Sequence, residues 1–221
     1  MRQLFLFTSL GFIIGLVSFN ETESDTYYTA KNLKAKDYTE EEINYFNEIT
    51  LKNELNPKIR LAPAKFKRDV KIFIFGNYEP YMLDEVKKVV DDLNDIIDPI
   101  DLSIVNNRRE SNVVMYFGDY ESFISDNPDL KQNHKLKISY GFFTSKSKGS
   151  NEIVSSRIFI NVPKHHNLTS LFDTLREELT QQLGFFNDTW RYKESCFYQG
   201  QNEVLEYSDI DIKLIKMLYN E

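Results

Sequence analysis

"REELTQQLGFFND" (Arg176–Asp188) joins a leucine stripe to a run of acid, acid and amide, and then meets a glycine. Upstream, Leu168, Leu171, Phe172 and Leu175 lead into Leu179 and Leu183, the recurrence of a helix with one buried side. Thr169 or Ser170 opens this helix, and Gly184 closes it as a C-cap. Residues four apart share a helix face. Glu177 and Gln181 therefore stand together roughly opposite the leucines, with Glu178 nearer the flank.

The rest of the chain can be read outward from this helix. Just before it, "SSRIFINVP" (155–163) is a strand closed by a proline. Earlier strands are expected at 69–76 ("DVKIFIFG"), 101–107 ("DLSIVNN"), 112–118 ("NVVMYFG") and 136–143 ("LKISYGFF"). Between the first two, Leu83, Val86, Val89, Val90, Leu93, Ile96 and Ile97 recur at helical spacing and stop before Pro99. Thr39 with Glu42 forms a capping box for a short amphipathic helix bearing Ile43, Phe46, Ile49 and Leu51. A last helix, from Ser208 to Tyr219, begins on Ser-x-x-Asp. A strand–helix–strand opening implies a right-handed parallel crossover. The whole reads as α/β (α+β), a mixed sheet backed by helices.

Composition narrows the function classes. Hydrophobic residues make up 41% of the 221 and aromatics 14%, enough for a core and against global disorder. A net charge of −7 excludes a nucleic-acid-binding protein, because phosphate neutralisation needs a dense basic face. The short basic clusters Lys31–Lys36 and Lys65–Arg68 read as solvated surface. Leu4 to Phe19 is an uncharged apolar run, short for a membrane span and suited to a secretory leader. Cleavage is expected near Ser18–Glu23, and the alternative is an uncleaved anchor, the only case in which a membrane is a partner. No cysteine follows the run, so no lipid anchor is supported, and the single Cys196 excludes an internal disulfide. The expected organisation is a leader or anchor at 1–22, a polar linker at 23–40 and one domain at 41–221. The expected location is exported: periplasm, cell envelope or extracellular.

In spacing, "EELTQQLG" resembles the zincin phrase H-E-x-x-H-x-x-G. Glu177 and Gln181 stand in the two histidine places, Glu178 in the place of the general base, and Gly184 where metzincins turn towards a third ligand. "ESCFYQGQNEVLEYSDIDIKLIKMLYN" is similar to the stretch after a metzincin zinc site, with Phe197 at the turn methionine and Ser195, Asp211, Ile215, Leu218 and Tyr219 fitting the rest. From about Glu41 to Tyr219 the chain also resembles a bacterial family of exported proteins whose signature is R-E-E-x-T-Q-x-L-G-x-x-N-D. That resemblance implies a metzincin-like fold, with a mixed five-stranded twisted sheet, two main backing helices and a small C-terminal helical subdomain. It implies no established activity, and it makes Glu177 and Gln181 the family's own choice.

Catalytic zinc prefers imidazole ligands and a free position for water. A carboxylate and an amide in the histidine places disfavour zinc, and oxygen donors suit harder divalent cations. The third-ligand position falls on Asn187, with Asp188 one residue later. The candidate metal ligands are thus Glu177, Gln181 and Asp188, with Glu178 the catalytic base if the site is active; no cofactor is otherwise expected. Glu177, Glu178, Gln181 and Asp188 can alternatively form a hydrogen-bonded network, or a plain solvated helix face. His134, His165 and His166 read as surface residues, Trp190, Tyr192, Phe197 and Tyr198 as core, and Cys196 as buried and inert. Three functions stay open: a non-catalytic module binding a peptide or protein along a sheet edge near Leu136–Phe143, a hydrolase with Glu/Gln/Asp metal ligands, and a structural envelope protein.

Overall fold

A computed structural model describes residues 38–52, 60, 62–149, 151–200 and 203–220. The expected leader at 1–22 and most of the linker at 23–40 lie outside the described residues. Helix α1 (Glu40–Leu51) starts as expected: the Thr39 side chain accepts from the Glu42 N–H, and Glu42 accepts from the Thr39 N–H at 2.7 Å.

Strands β1 (Lys65–Phe66), β2 (Val70–Gly76), β3 (Leu102–Val105), β4 (Val113–Gly118), β5 (Gly141–Lys148) and β6 (Glu152–Asn161) form one six-stranded sheet. Its path runs β1-β6-β4-β2-β3, all parallel, while β5 pairs antiparallel with β6 at the edge. Helix α2 (Pro80–Ile96) makes the crossover between β2 and β3. The two-residue β1 is the strand beyond the five expected. It lies in "KFKR" and is too short to show a period.

One face of the sheet carries the larger core. Ile72, Ile74, Val113, Met115, Ile158 and Ile160 meet Val86, Val89 and Leu93 of α2 and Leu171, Leu175 and Leu179 of α5 (Leu168–Gln181). The opposite face is partly covered by α3 (Tyr120–Asp126) and α4 (His134–Ile138), where Phe123 stacks on Phe159 at 4.5 Å. Alternation along β4 separates the two sets, with Met115 and Phe117 to one core and Tyr116 to the other.

Several boundaries differ from the sequence reading. Asn167, not Thr169 or Ser170, caps α5, its side chain accepting from the Ser170 N–H at 2.8 Å. Residues 136–138 belong to α4, and the strand expected at 136–143 starts at Gly141 and runs to Lys148. The polar alternation of "TSKSK" suits a strand exposed on one face, whereas Asn133 caps a helical turn by accepting from the Lys135 N–H. Helix α5 ends at Gln181 with Gln182 as its C-cap, and Gly184 comes two residues later at φ +140°.

Beyond α5 the described residues 185–200 and 203–208 lead into α6 (Asp209–Tyr219). Asp211 is fully buried and ties this region together. It accepts from the Ser195 hydroxyl at 2.6 Å, from the Ser208 hydroxyl at 2.7 Å and from the Cys196 N–H at 3.3 Å. The Ser195 hydroxyl meets Tyr45 of α1 at 2.8 Å, and the Phe186 N–H donates to the Ile49 carbonyl at 2.7 Å. Helix α1 therefore docks on the C-terminal part.

Candidate functional site

Helix α5 runs under β5, and Gly141 is the point of closest approach. A Cβ built at Gly141 would come within 2.5 Å of both Glu178 Oε1 and Thr174 Cγ2, so only glycine lets the strand rest on the helix here. Pairing with β6 sets the direction of the β5 main chain. The Asn161 N–H donates to the Tyr140 carbonyl at 2.8 Å, while the Ser156 N–H turns to Asn112 on the other side. With Gly141 opposite Ile160 and Ser145 opposite Ser156, Gly141, Phe143 and Ser145 turn their peptide groups away from β6.

Those groups edge a cleft of about 510 Å3 lined by residues 139–145, by Glu177, Glu178 and Gln181 of α5, and by Arg60, Phe186 and Asp188. A second chamber of about 650 Å3 continues from it, sharing Tyr140, Thr174, Glu177, Asp188 and Gln199 and reaching Asp173, Tyr198 and Glu203. Glu177, Glu178, Gln181 and Asp188 all border the first chamber. They are no solvated face. Glu178 is 7% exposed and Gln181 6%, because β5 and the 185–200 segment cover the side of the helix away from the leucines.

The amide of Gln181 joins the two flanking acids. Its Nε2 donates to Glu177 Oε1 at 3.3 Å and to Asp188 Oδ1 at shorter range. Two carboxylate acceptors orient the amide with nitrogen towards both. Asn187, at the expected third-ligand spacing, instead donates its side-chain N–H to the Asp188 carbonyl at 2.8 Å.

Zinc, the metal implied by the sequence resemblance, does not fit these residues. The donor set has no imidazole or thiolate, and the nitrogen facing both carboxylates has its protons engaged and no lone pair to offer. Among the described residues no three His, Cys, Asp or Glu side chains converge as a metal-ligand group.

Cys196 is buried, and that burial pushes its thiol well above the ordinary range, so it is inert as expected. Phe197 is core, packed on Phe185 at 4.7 Å, and Tyr192 leans on Tyr45 at 5.0 Å. Trp190 is not core: it is 67% exposed and stands edge-on to Tyr198, which lines the second chamber. Nor is His165 a surface residue. It is half-buried under Tyr140, its Nδ1 lies 3.1 Å from the Ser170 hydroxyl, and burial lowers its pKa.

Two residues of α5 escaped the sequence reading. Arg176 is fully buried, 2.9 Å from Asp92 and 3.8 Å from Glu85 of α2, with its guanidinium 4.5 Å from the Tyr207 ring centre. Its place in the series Phe172, Arg176, Leu179, Leu183 was the available signal. Asp173 accepts from the Val204 N–H at 2.8 Å, and desolvation, aided by Glu203, raises its pKa to about 6. No sequence pattern marks it.

Comparison with known proteins gives one family. A family model described as "Protein of unknown function (DUF2927)" matches residues 39–221. Similar solved structures include myroilysin, 11% identical with a TM-score of 0.44 over 71% of this chain and 85% of that one. Another is high choriolytic enzyme 1, a hatching-enzyme zinc protease from the medaka fish Oryzias latipes, 12% identical with a TM-score of 0.39 over 71% of this chain and 94% of that one. No curated protein matches the chain.

Proposed function

The chain belongs to the DUF2927 family, and from that premise we propose that it is an exported, non-catalytic module that binds an extended peptide or protein segment along β5. The outward peptide groups of Gly141, Phe143 and Ser145, opening onto a cleft, carry this reading. An added strand would draw its main-chain hydrogen bonds from them and its selectivity from the chambers beside them. The Gln181 bridge supports binding over hydrolysis, since the positions that would hold a metal hold each other. No helix among the described residues is long and apolar enough to cross a membrane. Export rests on the apolar run at 4–19.

Ser145→Pro tests the reading. It removes an outward N–H and the 3.2 Å hydroxyl contact to Ser156 while leaving the main-chain ladder to β6 intact. Peptides selected from a random library on the wild-type protein should bind the variant about tenfold more weakly, at unchanged melting temperature. Equal affinity would sink edge pairing. Cleavage of those peptides dependent on Ca2+, Mg2+ or Mn2+, and lost in Glu178→Gln, would establish the hydrolase reading instead.

A further inference from the structure

The cleft beside β5 is electrically lopsided. Both cationic side chains that line it, Arg60 and Lys135, belong to the 510 Å3 chamber, where the Arg60 guanidinium lies 4.4 Å from the Phe186 ring centre. The 650 Å3 chamber is bordered by the carboxylates of Asp173, Glu177, Asp188 and Glu203, and no Lys or Arg is among its described lining residues. Its walls include Tyr140 and Tyr198. These features map onto different points of β5. Tyr140, next to the outward-facing Gly141, borders the acidic chamber, whereas Phe143 stacks on Phe186 at 6.1 Å in the other.

Resting on the reading that an extended segment pairs with β5, we propose that the segment carries a lysine or arginine opposite the start of β5, seated between Asp173, Glu203 and the Tyr140 and Tyr198 rings. Charge complementarity selects this occupant. An ammonium or guanidinium head meets the carboxylates of Asp173 and Glu203, and its methylene stem lies on aromatic surface. An aspartate or glutamate at the same place meets like charge and is rejected. Glu203 is exposed at the rim, so the attraction weakens with salt, and the contact contributes selectivity more than raw affinity. The raised pKa of Asp173 is consistent with a carboxyl that gains from an incoming cation.

The test uses the purified full chain and a set of blocked peptides, alike except for Lys, norleucine or Glu at one scanned position. Fluorescence anisotropy at low and high salt gives the affinities. At one position Lys should exceed norleucine by about tenfold and Glu by more, with the gap shrinking in high salt. Asp173→Asn with Glu203→Gln should bring Lys and norleucine together by weakening Lys binding about tenfold. Glu203→Lys, a rim substitution that spares the fold, should turn the preference towards Glu. Peptides that bind without a basic preference, or whose preference survives both variants, overturn this inference while leaving edge pairing standing. If no peptide binds the wild-type chain, edge pairing and this inference fall together.

Discussion

Asp173 sits half-buried on α5, one turn before Glu177; burial raises its pKa, the Val204 N–H lowers it, and Glu203 and Arg176 add smaller opposing effects. Its pKa rises from 3.8 to about 6, so between those values the folded chain keeps a proton that the unfolded chain has released. That difference makes stability fall as pH rises through the window. Asp173→Asn removes the penalty and keeps an acceptor for the Val204 N–H. It should be nearly neutral at pH 4 and stabilising by roughly 1–3 kcal/mol at pH 7.5, as read by urea denaturation at both. A difference that does not change with pH would show the carboxyl to be ordinary. Gly184 is constrained by backbone and space together: its φ is +140°, and a Cβ added there would lie 2.2 Å from the Ala64 carbonyl oxygen. Gly184→Ala should therefore destabilise the fold by about 2–4 kcal/mol, with a matching fall in urea midpoint.

At the scale of elements, α5 is held from two directions. Its leucines pack on the sheet, and Arg176 reaches Glu85 and Asp92 of α2, seven residues apart and hence on one side of that helix. Removing a buried charge strands its partners. Arg176→Ala should cost about 3–5 kcal/mol and Arg176→Met distinctly less, because methionine refills the volume over Tyr207. Equal losses in the two variants would mean that charge, not packing, joins the helices. The leucine period makes α5 legible, and β-branched runs do the same for β2, β4 and β6. By contrast, Leu136–Ile138 reads as strand yet folds as helix, because Leu-Lys-Ile is too short to carry a period and the Asn133 cap settles it locally.

Across the whole molecule, the tie between α5 and the segment after it is a hydrogen-bonded amide, Gln181 between Glu177 and Asp188. A protein braced in this way should not need a metal. Chelator should shift its melting temperature by less than about 1 °C, whereas a chain folded around a structural ion loses several kcal/mol. A large chelator-dependent fall would show that a cation does bridge these oxygens. By itself the sequence determined the helix at the centre, the runs that become β2, β4 and β6, and the shared helix face of Glu177 and Gln181, because periodicity and spacing are local properties. Only tertiary structure decided that the polar side of α5 is covered, that Gln181 donates to both acids, that Arg176 is buried, and that Asp173 faces Glu203. Those outcomes depend on β5, α2 and residues within 185–200 and 203–208, which meet α5 although they lie apart from it in sequence. Burial and charge pairing arise from that meeting, and no window along the chain contains them.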